Sequence, residues 1–63
     1  MQISLKAARI NAGITIDQAA KAANVSYGTI RNWESGKTTP GIGKFRALCQ
    51  LYGVSMTDIK GGF

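Results

Sequence analysis

The chain has 63 residues, with eight Lys and Arg against three Asp and Glu for a formal charge of +5, no histidine and one cysteine. This composition excludes an internal disulfide and leaves a metal site or a histidine-based catalytic dyad without parts; the lack of any long apolar run excludes a transmembrane helix. A chain this short buries only about 60% of its unfolded surface, so residues 1–63 are read as one small domain with a thin core.

The opening stretch, MQISLKAARINAG, lacks the apolar region of a signal peptide, and the chain is expected to stay in the cytosol. Ile3 and Ser4 open a first helix, with Ser4 as its cap. Leu5, Ala8 and Ala12, spaced i, i+3, i+7, predict an inward stripe, with Lys6 outside. Gly13 ends the helix.

Thr15-Ile16-Asp17-Gln18 fits a capping box, in which the Thr15 hydroxyl accepts from the Gln18 backbone N–H and the Gln18 side chain accepts from the Thr15 N–H. Asp17 sits in the first turn, where the positive end of the helix dipole favours an acid. Ala19, Ala20, Ala22 and Ala23 then give a strongly helical run, predicting a helix over 16–23. Asn24 stops it, because Asn tolerates the left-handed backbone conformation. Ser26 caps the next helix, predicted over 27–34, and Val25 with Ile30 has the spacing of a hydrophobic staple. Ile30 and Trp33 face inward together, while Gly28, Arg31, Asn32 and Ser35 lie on the other side. Residues 15–34 thus read as two short helices joined by a tight turn, the second leading with small polar residues. That is the shape of a helix-turn-helix that lays one helix into a DNA groove.

Gly36 closes this helix, and Pro40 bars its continuation. The loop, SGKTTPG, lacks the order of a nucleotide-binding phosphate loop. A fourth helix is predicted over 42–52, with Ile42, Phe45, Leu48, Cys49 and Tyr52 at core spacing and Leu51 supplementing them. Cys49 reads as a buried core thiol. Gly53 ends the helix, and Ser55 caps a short fifth one within 54–59, with Val54 and Ile59 as another staple pair.

A helix entering the major groove nose-first presents Tyr27, Gly28, Arg31 and Asn32 to base edges. Tyr27 packs on a thymine methyl, bonds a phosphate or is merely an exposed aromatic. Gly28 reads no base by hydrogen bond but lets the backbone approach closely. Arg31 takes guanine bidentately or only a phosphate, and Asn32 takes adenine N6 and N7. Thr29 meets backbone; Lys37, Thr38 and Thr39 clamp the phosphates beside the groove, and Lys44 adds to them, unless these side chains are simply solvated. The Thr15 hydroxyl can also meet a phosphate. The excess positive charge suits a polyanionic partner, or serves solubility alone.

Ala20, the turn Asn24-Val25-Ser26, Ile30, Trp33-Glu34-Ser35-Gly36-Lys37, Thr39-Pro40 and Leu51-Tyr52-Gly53-Val54-Ser55 occur in an order that resembles the lambda-repressor-like (Cro/repressor, XRE) helix-turn-helix family, across roughly residues 5 to 59. The resemblance implies an all-α fold of five helices. It implies a cytoplasmic, nucleoid-associated transcriptional regulator of prokaryotic or phage origin, not an enzyme and needing no cofactor or metal. Its partner would be double-stranded DNA, bound by a homodimer repressor on a near-palindromic operator. The resemblance puts Asn32 in a common base-reading position and pairs Arg9 with Glu34, the alternative being a solvated Arg9 at a phosphate. It makes the C-terminal end, with Met56, Ile59 and Phe63, the dimer candidate; otherwise these residues complete the monomer core. The chain departs from the family in having Ile16 where a phosphate-binding Gln is common, and Ala19 and Ala23 where Leu is usual. The missing Gln at Ile16 and the glycine at Gly28 keep open an alternative, a protein-interaction module such as an antitoxin or adaptor on the same fold.

Overall fold

The computed structural model describes residues 2–60. Among them are four α-helices, α1 (Leu5–Asn11), α2 (Ile16–Ala23), α3 (Tyr27–Ser35) and α4 (Ile42–Tyr52), followed by a single 3-10 turn, Met56–Asp58. The expected fifth helix is therefore only that turn. Its cap forms as the sequence implies, with Ser55 Oγ accepting from Thr57 N–H and Asp58 accepting from the Ser55 N–H. Ile59 then leaves the helical region at φ −92°, ψ 122° and makes an isolated parallel bridge with Ile3. Ile3 N–H donates to Asp58 O at 2.8 Å, and Lys60 N–H donates to Ile3 O at 2.8 Å. The two ends of the described chain are clasped together, which stops the last segment from winding on as a helix.

Each helix boundary has a local chemical cause. Ser4 Oγ accepts from Ala7 N–H at the start of α1. At α2 both arms of the Thr15–Gln18 capping box form, at 2.9 and 3.1 Å. Asn24 ends α2 at φ 58°, ψ 47°, the one non-glycine residue with positive φ among those described. Ser26 Oγ accepts from Thr29 N–H to start α3, and Gly36 ends it at φ 80°.

The core forms one cluster in which Ile30, Phe45 and Leu48 are fully buried with Ala19. α2 packs on α3 and α4, and α1 packs on the same two helices. The small Ala19, Ala20 and Ala23 of α2 are buried in the same cluster as the rings of Phe45 and Tyr52 on α4. Val25, Trp33, Val54 and Met56 pack against the edge of this cluster.

Three expected core residues lie outside it. Ala12 is exposed because α1 ends at Asn11; Ala12 is its cap, and a helical period does not extend past the helix. Ile42 is 65% exposed because it is the first residue of α4, where the side chain tilts back toward the N-terminus and overhangs the core. Leu51, expected to supplement the core, is 37% exposed. No helix among the described residues is long and apolar enough to cross a membrane.

Candidate nucleic-acid interface

α3 is held from beneath and presents its other side to solvent. Ile30 is fully buried and Trp33 half-buried, whereas Tyr27, Gly28, Arg31, Asn32 and Ser35 are exposed. At 100° per residue, with Tyr27 at zero, Arg31, Ser35, Gly28 and Asn32 follow at about 40°, 80°, 100° and 140°. The exposed residues therefore form one continuous arc containing all four candidate base readers. Thr29, on the flank, is half-buried, and its hydroxyl is engaged with Ser26 Oγ at 2.9 Å.

The tilt of α3 against α1 is fixed by an ion pair. Arg9 Nε donates to Glu34 Oε2 at 2.7 Å and Nη2 donates to Oε1 at 3.3 Å. The third arm of the guanidinium, Nη1, donates to Ile14 O at 2.9 Å, so one side chain ties α1 to both α3 and the α1–α2 turn. The hydrogen bond to Glu34 raises the Arg9 pKa above its ordinary value, against the opposing effect of burial. Arg9 therefore stays cationic, with its charge answered by Glu34.

The loop after α3 is shaped by the helix end. Lys37 N–H and Thr38 N–H both donate to Asn32 O, at 3.0 and 3.3 Å, and Pro40 is buried. Lys37, Thr38 and Thr39 are left exposed between those fixed points, next to the end of the α3 arc. Thr15 stands at the other side of the helix-turn-helix. Its oxygen accepts from Gln18 N–H, which leaves its O–H proton available to an outside acceptor. Lys44 has a different engagement from the loop residues: its Nζ donates to Ala23 O at 2.8 Å, closing the C-terminal end of α2. Ile16 is half-buried against the core and offers no side-chain hydrogen bond.

The C-terminal candidates are divided by burial. Ile59 is 4% exposed within the core and Met56 is half-buried, while Phe63 lies outside the described residues. Cys49 is buried, and burial pushes its thiol pKa up, away from the thiolate form. Burial likewise pushes Tyr52 up to about 12, and its Oη has no hydrogen-bond partner among the described residues. Among those residues no group of three or more metal-ligating side chains is found.

A four-helix core with an exposed helix set across a capped, two-helix turn defines a helix-turn-helix domain. A family model described as helix-turn-helix matches residues 5–59, and the chain belongs to that XRE-type family of DNA-binding domains. No curated protein and no solved structure matches the chain.

Proposed function

We propose that the chain is a sequence-specific transcriptional regulator, a repressor that occupies a near-palindromic operator as a homodimer. The observation that carries this is the continuous exposed arc of α3, with Tyr27, Gly28, Arg31 and Asn32 free of the core. Inserted into the major groove, that arc sets Tyr27, Gly28 and Asn32 at base edges, with the amide of Asn32 suited to adenine and Arg31 at a base edge or a phosphate. Lys37, Thr38 and Thr39 then meet phosphates on one side of the groove, and Thr15 on the other. Thr29 and Lys44 are already engaged with Ser26 and Ala23, with Lys44 keeping two further N–H donors for a phosphate. Two-fold symmetry sets the half-sites about 34 Å apart, one helical turn. The dimer contact falls at the C-terminal end, with Met56 contributing more than the largely buried Ile59. Such a protein works wherever its DNA lies, in the cytoplasm of a prokaryotic cell.

Selection of bound sites from a random duplex library at two salt concentrations tests this reading. Enrichment of a near-palindromic site that survives the higher salt supports a dimeric operator binder. Binding without enrichment that collapses in salt reduces the interaction to charge attraction. It would then favour a second reading, a protein-interaction module. One observation speaks for that reading: Ile10, 56% exposed, lies with half-buried Ile14 and Ile16 in a shallow depression beside Tyr27.

A further inference from the structure

We infer that the cleft between α1 and α3 seats a phosphodiester of the DNA backbone, gripped by Lys6 and Arg31, so that Arg31 holds the backbone rather than reading a base. This rests on the DNA-binding reading and settles the two roles open to Arg31. The cleft is about 320 Å³, open to solvent and lined by Lys6, Arg9, Ile16, Arg31, Glu34 and Ser35. Arg9 and Glu34 satisfy each other at its floor, so the one carboxylate present is already neutralised. Lys6 and Arg31 are exposed and have no ion-pair or hydrogen-bond partner among the described residues. Ser35 donates its proton to Asn32 O and has none to offer an anion. The cleft therefore presents two uncompensated cations facing one space. They repel each other when it is empty and are relieved by a single anionic group entering it.

Position on α3 separates Arg31 from Gly28 and Asn32. On the helical wheel Tyr27 and Arg31 lie at about 0° and 40°, within about 60° of Glu34 and hence on the α1 side, whereas Gly28 and Asn32 lie at about 100° and 140°. An arginine on that edge, with a lysine opposite it on another helix, meets the wall of a groove rather than its floor. Its partner there is phosphate, which carries no sequence information. Sequence reasoning passed over Lys6 because nothing in the pattern of α1 reveals which part of α3 its outward face will meet.

The test is equilibrium binding of the wild type, Lys6→Gln, Arg31→Gln and Asn32→Ala to the selected duplex and to singly substituted duplexes, at about 50 and about 200 mM salt. Lys6→Gln and Arg31→Gln should each weaken every duplex in proportion and lower the salt slope by about 0.9, so that the fourfold rise in salt costs each variant about 3.5-fold less affinity than it costs the wild type. Both should keep the wild-type base preference, while Asn32→Ala alters it at one position. Melting curves should be close to wild type for both cleft variants, separating a lost contact from a lost fold. An unchanged salt slope in either variant, or a changed base preference in Arg31→Gln, overturns the phosphate seat while leaving operator binding in place. A wild type that selects no duplex overturns both.

Discussion

Glu34→Ala measures what fixes α3 to the rest of the domain. The side chains of Arg9 and Glu34 are only 11% and 6% exposed, and the substitution removes two of the three acceptors that Arg9 uses. Breaking a buried pair by deleting one partner costs roughly 3–5 kcal/mol, because the remaining charge stays buried without compensation. Ile14 O still accepts from the guanidinium and the pair lies near the rim, so the lower end, about 3 kcal/mol, applies. A chain of 63 residues has about 3–9 kcal/mol of total stability, making this a large share of it. The expected fall in Tm is about 12–24 °C, followed by circular dichroism. Glu34→Gln retains one acceptor and should fall less, which keeps the comparison measurable if the alanine variant is unfolded at room temperature. The double variant Arg9→Met with Glu34→Leu removes both charges and should recover most of the loss, because a buried pair replaced by apolar groups of similar size is often neutral. A Tm drop below about 4 °C for Glu34→Ala, equivalent to a surface substitution, would refute the reasoning.

Asn32→Ala should relax preference at one base position by roughly 1–3 kcal/mol, whereas Lys37→Ala should weaken all sequences alike and lower the salt slope by about one; equal behaviour of the two would refute the separation of reader from clamp. Tyr52→Phe removes a buried hydroxyl that has no partner, so urea titration should find the variant at least as stable as the wild type; a loss above about 1 kcal/mol would mean the hydroxyl is bonded in solution. Because Tyr52 is pushed up to about 12, the folded chain holds its proton after the unfolded chain has released it. Its contribution is complete below about pH 10 and falls by up to about 1.4 kcal/mol per pH unit until about pH 12, so the wild type should lose stability faster than Tyr52→Phe across that window. Asn24→Ala should cost about 1 kcal/mol for a left-handed alanine, and Asn24→Gly should be neutral or slightly stabilising in the same titration.

What the sequence makes legible here is set by how local the cause is. Ser4, Thr15 with Gln18, Asn24, Ser26, Gly36, Gly53 and Ser55 each act on backbone groups within a few residues, and all are found at helix ends. The bounds of α2 and α4 follow as expected, and α3 runs one residue further, to Ser35. The failures occur where a distant partner decides. Ile3 reads as the start of a helix, yet it pairs with Ile59 at the far end of the described chain. That pairing turns the expected fifth helix into one 3-10 turn and draws Ile59 into the core. Ile42 has the right spacing from Phe45, but spacing cannot reveal that α4 begins beyond the edge of the core. Lys44 has the composition of a phosphate contact, and only the approach of α4 to the end of α2 reveals Ala23 O as its present acceptor.

The distribution of charge on the folded chain bears on how the domain would hold DNA. Of the three acids, Glu34 is neutralised by Arg9, and Asp58 accepts from the Ser55 N–H, while Asp17 stays exposed in the first turn of α2. Asp17 therefore stands beside Thr15 at the helix start where a phosphate would approach, and Ile16 between them supplies no side-chain hydrogen bond. The dipole of α2 attracts a phosphate there, but Asp17 already answers it with a full negative charge on its first turn. Anchoring at this end is accordingly weakened relative to a helix that starts with a polar side chain and no acid. The compensating cations lie along the other edges of α3: Lys37 beyond its C-terminal end, and Lys6 and Arg31 across the α1 cleft. Three exposed cations at α3 and its edges give its arc a positive frame, and on the proposed reading the Arg9–Glu34 pair would set the angle at which that frame meets the groove. With no polar residue at Ile16, the proposed contacts to the DNA backbone would fall on α1 and the loop, which keeps an electrostatic basis for binding DNA.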